Sequence, residues 1–152
     1  MAYWLLKSEP DTFSLDDLER VGVEPWSGVR NYQARNFLRQ MQPGDGFFFY
    51  HSSCAQPAIV GLGEVASPAC ADPSQFDATS AHFDARAKPA EPRWSQVEVR
   101  FVTRLRQALS LDKLRSCPDL QDFALVKRGN RLSVLPVSAA QWQAILKLEA
   151  QS

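Results

Sequence analysis

Cysteine is scarce in this 152-residue chain: Cys54, Cys70 and Cys117 stand far apart, and none belongs to a C-x-x-C pair. An odd, scattered set argues against both a disulfide framework and a structural zinc site. The two histidines, His51 and His82, add no metal-ligand spacing, so no metal is expected. An excess of either charge is missing too. Seventeen Lys+Arg face seventeen Asp+Glu, which excludes attraction to phosphate by whole-molecule basicity but leaves room for a local basic face. No apolar run approaches the roughly 18–20 residues of a membrane span. The start, Met1-Ala2-Tyr3-Trp4-Leu5-Leu6-Lys7, has no basic n-region of a signal peptide. These absences predict a soluble, cytoplasmic protein of one domain over residues 1–152, without a membrane partner; a monomer is expected, though nothing in the sequence fixes it.

Catalytic signatures are equally thin. Gly61-Leu62-Gly63 lacks the third glycine and the following helix of a phosphate-binding loop. His51, Ser52 and Glu64 supply the residue types of a triad, but neighbours on a strand point to opposite faces, so His51 cannot activate Ser52. Glu9 near Lys7 reads either as an acid–base pair or as a structural acceptor by a helix start. No catalytic residue and no cofactor are assigned.

What the chain does have is a readable set of elements. Residues 2–7 form a short apolar strand buried on both faces. Ser14 followed by Leu15-Asp16-Asp17 is a polar cap with acids in the first turn, opening a helix to about Arg20. Residues 29–41 carry Tyr32, Ala34, Phe37, Leu38 and Met41 at helical spacing, with Arg35 and Arg39 one turn apart on another face. Pro43-Gly44-Asp45-Gly46 is a turn; 47–51 and 57–65 are strands, and Gly61 and Gly63 mark a close backbone approach. Residues 66–93 read as a long ordered loop. Val97, Val99, Phe101 and Leu105 alternate with charge in a half-buried strand. A short helix over 111–115, a strand over 131–135 and a helix begun by Ser138 complete the chain. Helices and strands mix without a βαβ repeat, so the class is α+β: a curved sheet or small barrel with helices at its edges.

Charge is uneven along this chain. Residues 8–24 hold six acids and one base, whereas 26–42 hold Arg30, Arg35 and Arg39 without an acid, and 125–135 hold Lys127, Arg128 and Arg131 without an acid. Trp26, in a loop opening the basic helix, follows neither helix nor strand periodicity. It reads as core filling or as a platform for a flat ligand.

The runs Tyr3-Trp4-Leu5-Leu6-Lys7-Ser8-Glu9-Pro10 and Trp26-Ser27-Gly28-Val29-Arg30-Asn31-Tyr32-Gln33-Ala34-Arg35-Asn36 resemble the EVE domain. The resemblance continues through Gly44-Asp45, Tyr50-His51-Ser52, Ile59-Val60-Gly61, Pro92-Arg93-Trp94 and Arg131-Leu132-Ser133-Val134, covering nearly the whole chain. It implies a PUA-like fold, a small mixed β-barrel with flanking helices, related to the YTH readers of N6-methyladenine in RNA. It also implies a non-catalytic reader of a modified base in DNA or RNA, with 5-methylcytosine and its oxidised forms as the leading ligands. Because PUA-like folds host hydrolases as well, a hydrolase acting on a modified nucleoside or RNA is the alternative.

On this resemblance the base stacks on Trp26 with Phe83 across from it. Ser8, Asn31, Ser133 and the backbone near Val29 read its polar edge, and Glu9 accepts from an exocyclic amino group. Lys7, Arg30, Arg35, Lys127 and Arg131 hold flanking phosphates. Arg30 has a second reading, as a structural partner of the acidic 8–24 segment. The chain departs from the family at Ser27, often aspartate, and at His82-Phe83, where a Tyr-Tyr pair is usual; both changes bear on ligand preference.

Overall fold

Strand alternation places two hydrophobic cores on the two faces of one sheet. The computed structural model describes residues 1–151. In β1 (Tyr3–Ser8) the side chains of Trp4 and Leu6 enter one core while Leu5 enters the other. In β3 (Gly46–His51) Phe47 and Phe49 go one way, Phe48 and Tyr50 the other. Such strands read as continuous apolar runs because both of their faces leave water.

The remaining strands are β2 (Val23–Trp26), β4 (Ala58–Val65), β5 (Cys70–Ala71), β6 (Ser95–Ser110) and β7 (Val134–Val137). Seven strands make a mixed sheet in the order β2-β6-β4-β3-β1-β7, with β5 on β6. β1 runs parallel to β3, and β7 returns antiparallel on the other side of β1. Register irregularities at Phe49/Tyr50, Ile59/Gly61 and Leu62/Gly63 bend β3, β4 and β6, as extra residues in a ladder do. A Cβ on Gly63 would meet the Phe47 ring at 2.4 Å and the Arg100 carbonyl oxygen at 2.6 Å, so the close approach expected here is made by the core itself.

Among the described residues four α-helices flank the sheet: α1 (Leu15–Val21), α2 (Tyr32–Gln40), α3 (Leu111–Arg115) and α4 (Ala139–Ala150). Ser14 and Ser138 each close a reciprocal capping box, and the Ser110 hydroxyl accepts from the Lys113 N–H. None of these helices is long and apolar enough to cross a membrane. The class is α+β, as expected, with three corrections to its parts. The helix expected over 29–41 starts only at Tyr32, because Asn31 is extended and caps it. The last strand lies at Val134–Val137 rather than 131–135. Trp26 ends a strand and not a loop; Pro25 hides that strand, and it is tolerated because β2 lies at the sheet edge.

His51 ties β3 to α1: its Nε2 accepts from the Leu15 N–H at 3.1 Å, which requires a neutral ring with its proton on Nδ1. Burial holds its pKa below the ordinary histidine value, Asp16 pulling it up and Arg104 pushing it down. The stabilisation is therefore intact above about pH 6.5 and is lost as pH falls through the lower folded value. The melting temperature of the parent should drop more between neutral and mildly acidic pH than that of His51→Gln. Parallel curves would show that this bond does not govern the titration.

Candidate nucleic-acid interface

Three segments converge at the ends of β1 and β2. β1 delivers Lys7 and Ser8, the stretch before β7 delivers Ser133, and β2 delivers Trp26. The Lys7 N–H donates to the Ser133 carbonyl at 2.9 Å, joining the first two. Between them lies an open cavity of about 500 Å³ whose lining includes Ser8, Glu9, Trp26, Val29 and Ser133, a volume in the range of small-molecule sites. A second opening of about 500 Å³ shares Lys7, Glu9 and Ser133 with it and adds Ser52, Ser53, Asn130 and Arg131.

The Trp26 indole is both core and wall. It is 8% exposed and belongs to the same core as Phe49, yet it lines the cavity. Phe13 and Phe49 meet it nearly edge-on, at 82° and 88°, so neither ring lies parallel on the indole. Ser8 Oγ donates to the Phe13 carbonyl at 2.6 Å and shapes the turn into α1. The Glu9 carbonyl accepts from the Thr12 and Phe13 N–H groups, and Glu9, an exposed residue, lines the cavity. Lys7 is half-buried between the two openings, and burial holds its ammonium below the usual lysine pKa.

Other residues singled out from the sequence lie elsewhere. Asn31 does not line the cavity: its Oδ1 accepts from the Ala34 N–H at 2.9 Å as the cap of α2. Phe83 is 44% exposed and off the cavity, while the adjacent His82 ring forms part of the wall. His82 packs so closely on Gly28 that a Cβ there would stand 2.8 Å from Nε2. Lys127 is exposed and lines neither opening, and Arg35 lies on α2 against Tyr32.

Arg30 lines the cavity but is saturated. Its five N–H groups reach the carbonyls of Val29 and His82, the Ser74 hydroxyl and Asp72 Oδ2, the last at 3.2 Å. Its carboxylate partner is thus Asp72 and not an acid of the 8–24 segment. Asp72 is fully buried and also accepts from the Gly28 N–H at 2.7 Å and from the Ser74 N–H and hydroxyl. It holds the loop after Trp26 against the 3-10 turn Pro73–Phe76, which it caps. The sequence reading missed this residue, although Asp72-Pro73-Ser74 carries the signal of a capped turn.

The family model for the EVE domain matches residues 2–148. The chain belongs to the EVE domain family. Mouse thymocyte nuclear protein 1 is 40% identical to this EVE domain over 166 residues, covering 97% of the chain and 73% of the mouse protein. The crystal structure of human THYN1 protein in complex with 5-methylcytosine-containing DNA matches at a TM-score of 0.95 and 36% identity, over 100% of this chain and 99% of that one. A YTH domain from Zygosaccharomyces rouxii, solved with N6-methyladenosine RNA, matches at a TM-score of 0.51 and 16% identity, over 97% and 86% of the two chains. That is a likeness of fold alone.

Proposed function

We propose that this EVE domain binds nucleic acid by taking a single modified base of the 5-methylcytosine type into the Trp26 cavity, without chemical turnover. The observation that carries the reading is the cavity itself, whose lining combines the Trp26 indole with Ser8, Glu9 and Ser133. The base stacks on the indole, while Ser8, Glu9, Ser133 and the backbone at Val29 face its polar edge. Glu9 accepts from an exocyclic amino group, which cytosine has and uracil lacks. Lys7 and Arg131, on the second opening, take the adjoining phosphates. Asn31 and Phe83 have no part in this version of the site. Support comes from the likeness to the human THYN1 complex with 5-methylcytosine-containing DNA. The reading needs no cofactor, no metal and one copy of the chain.

The test is a binding panel of single- and double-stranded DNA and RNA oligonucleotides carrying cytosine, 5-methylcytosine, 5-hydroxymethylcytosine, adenine or N6-methyladenine. A methyl group in an apolar pocket changes affinity by about ten- to a hundredfold, and a preference of that size for one modified cytosine is expected. Equal affinity for every base overturns the reading. Accumulation of product during incubation, abolished in Glu9→Gln, would replace it with hydrolysis.

A further inference from the structure

Away from the cavity, α2 and the segment entering β6 bring three guanidinium groups together without an acid. Arg35 Nη1 and Arg39 Nη2 converge on one acceptor, the Arg93 carbonyl oxygen, at 3.0 and 3.4 Å. Their other bonds also go to neutral groups, Arg35 to the Asn36 carboxamide and Arg39 to the Ser95 hydroxyl at 2.9 Å. Arg93 Nη1 donates to the Tyr32 hydroxyl at 3.4 Å. Among the described residues none of the three pairs with a carboxylate, whereas Arg20, Arg30, Arg104 and Arg106 all do. Asp84 lies close enough to feel Arg93, but its carboxylate already accepts from Trp94 Nε1 and the Arg86 N–H.

Holding like charges side by side opposes folding unless an anion joins them. Burial first, and then the neighbouring Arg39 charge, hold the Arg35 guanidinium below its ordinary range. The neutral acceptors fix Arg35 and Arg39 in place without a carboxylate partner, while Asp84 partly offsets the Arg93 charge. An aromatic ladder connects this patch to the cavity. Arg30, in the cavity wall, lies over Trp94 at 5.4 Å; Trp94 stacks on Tyr32 at 4.8 Å and 24°; Arg35 covers Tyr32 at 4.8 Å. Tyr32 is 51% exposed, so the patch opens to solvent.

We infer that Arg35, Arg39 and Arg93, beside Tyr32, form a second contact that grips the phosphodiester backbone of the bound strand at a distance from the captured base. The inference rests on the reading of the cavity as the site of one base in a longer strand. Guanidinium groups set on phosphate oxygens position a strand without reading its sequence, so the patch adds affinity without preference for the modified base. It also sets a minimum length for the ligand, since a strand too short to reach α2 cannot use it.

The experiment compares the parent with Arg39→Gln/Arg93→Gln on three probes: a DNA duplex longer than one helical turn carrying 5-methylcytosine, its unmodified counterpart, and a trinucleotide with 5-methylcytosine at its centre. The variant should bind both duplexes about tenfold more weakly, with the log–log salt slope reduced by about two for two lost phosphate contacts. The ratio between modified and unmodified duplex, and the affinity for the trinucleotide, should stay at the parent's values. Duplex binding with an unchanged slope overturns the patch, as does a loss confined to the trinucleotide. If the parent shows no base preference but the slope still falls, the patch stands and the cavity reading fails. If the parent binds no oligonucleotide, both fail. Arg39→Gln alone, on an exposed side chain, serves where the double variant does not fold.

Discussion

Asp72→Ala should destabilise the protein by about 3–5 kcal/mol, because it leaves the Arg30 guanidinium without its carboxylate in a largely enclosed site. Asp72 is 0% exposed and receives Gly28, Ser74 and Arg30 on its two oxygens. The comparison within the same molecule is Arg104 with Asp16 and Glu19, where both sides of each pair are well exposed and removal costs no more than about 1 kcal/mol. Chemical denaturation of Asp72→Ala and Glu19→Ala measures the contrast. A loss below about 1 kcal/mol at Asp72 would show that the loop is held by its other bonds. The pH dependence has a definite sign. Burial alone would raise the Asp72 pKa, but hydrogen bonds from Ser74, the Gly28 N–H and Arg30 outweigh it and hold the carboxyl below the usual aspartate value. Its stabilisation is therefore complete above about pH 3.9 and lost as pH falls through the lower folded value. The parent should lose stability more steeply than Asp72→Ala in that acid range. Asp72→Asn, which keeps the shape but not the charge, should fold and yet weaken base preference, since the Gly28 tether beside Trp26 loosens.

Where a local rule decided the outcome, the sequence was a good guide. Caps at Ser14, Ser110 and Ser138 open helices, and the uninterrupted apolar run Phe47-Phe48-Phe49-Tyr50 is a strand with a core on each face. Ser8, Glu9, Trp26 and Ser133, which the family resemblance groups together, line one cavity. The failures have physical causes of their own. Arg30 and Asp72 are 42 residues apart, and no periodicity carries information across that distance. Asn31 offered an amide for recognition, but an Asn three residues before Ala34 satisfies an orphan helix N–H first. The resemblance implies a ring at Phe83, but in the irregular loop no alternation tells which of two neighbours turns inward, and the structure places His82 on the wall. The spacing of Arg35 and Arg39 predicts one helix face, and they share it. That the Arg93 carbonyl would be their common acceptor depends on a strand entering from beyond the loop.

Trp26→Ala should abolish the preference for a modified base and also damage the fold, and the two effects must be separated. Deleting a buried indole costs about 3–5 kcal/mol, and Trp26 packs against both Phe13 and Phe49. Loss of the stack costs about 1–3 kcal/mol per base, or roughly five- to 150-fold in affinity. An alanine variant that binds poorly is thus ambiguous, because it is both cavity-bearing and unstacked. Trp26→Leu resolves the two. A branched aliphatic side chain refills part of the apolar volume but offers no π-face, so the variant should remain folded while its ratio of modified to unmodified affinity falls to near unity. Trp26→Phe should lie between, with a smaller ring on the same wall. Fluorescence provides an independent readout: the chain has four tryptophans, and quenching by a modified oligonucleotide should be present in the parent and missing in Trp26→Leu. Arg39→Gln should leave that quenching intact at saturating ligand, since it alters how tightly the strand is held and not where the base goes. A folded Trp26→Leu that keeps the parent's preference would mean that the base is read on another surface, and the indole is then core and nothing more.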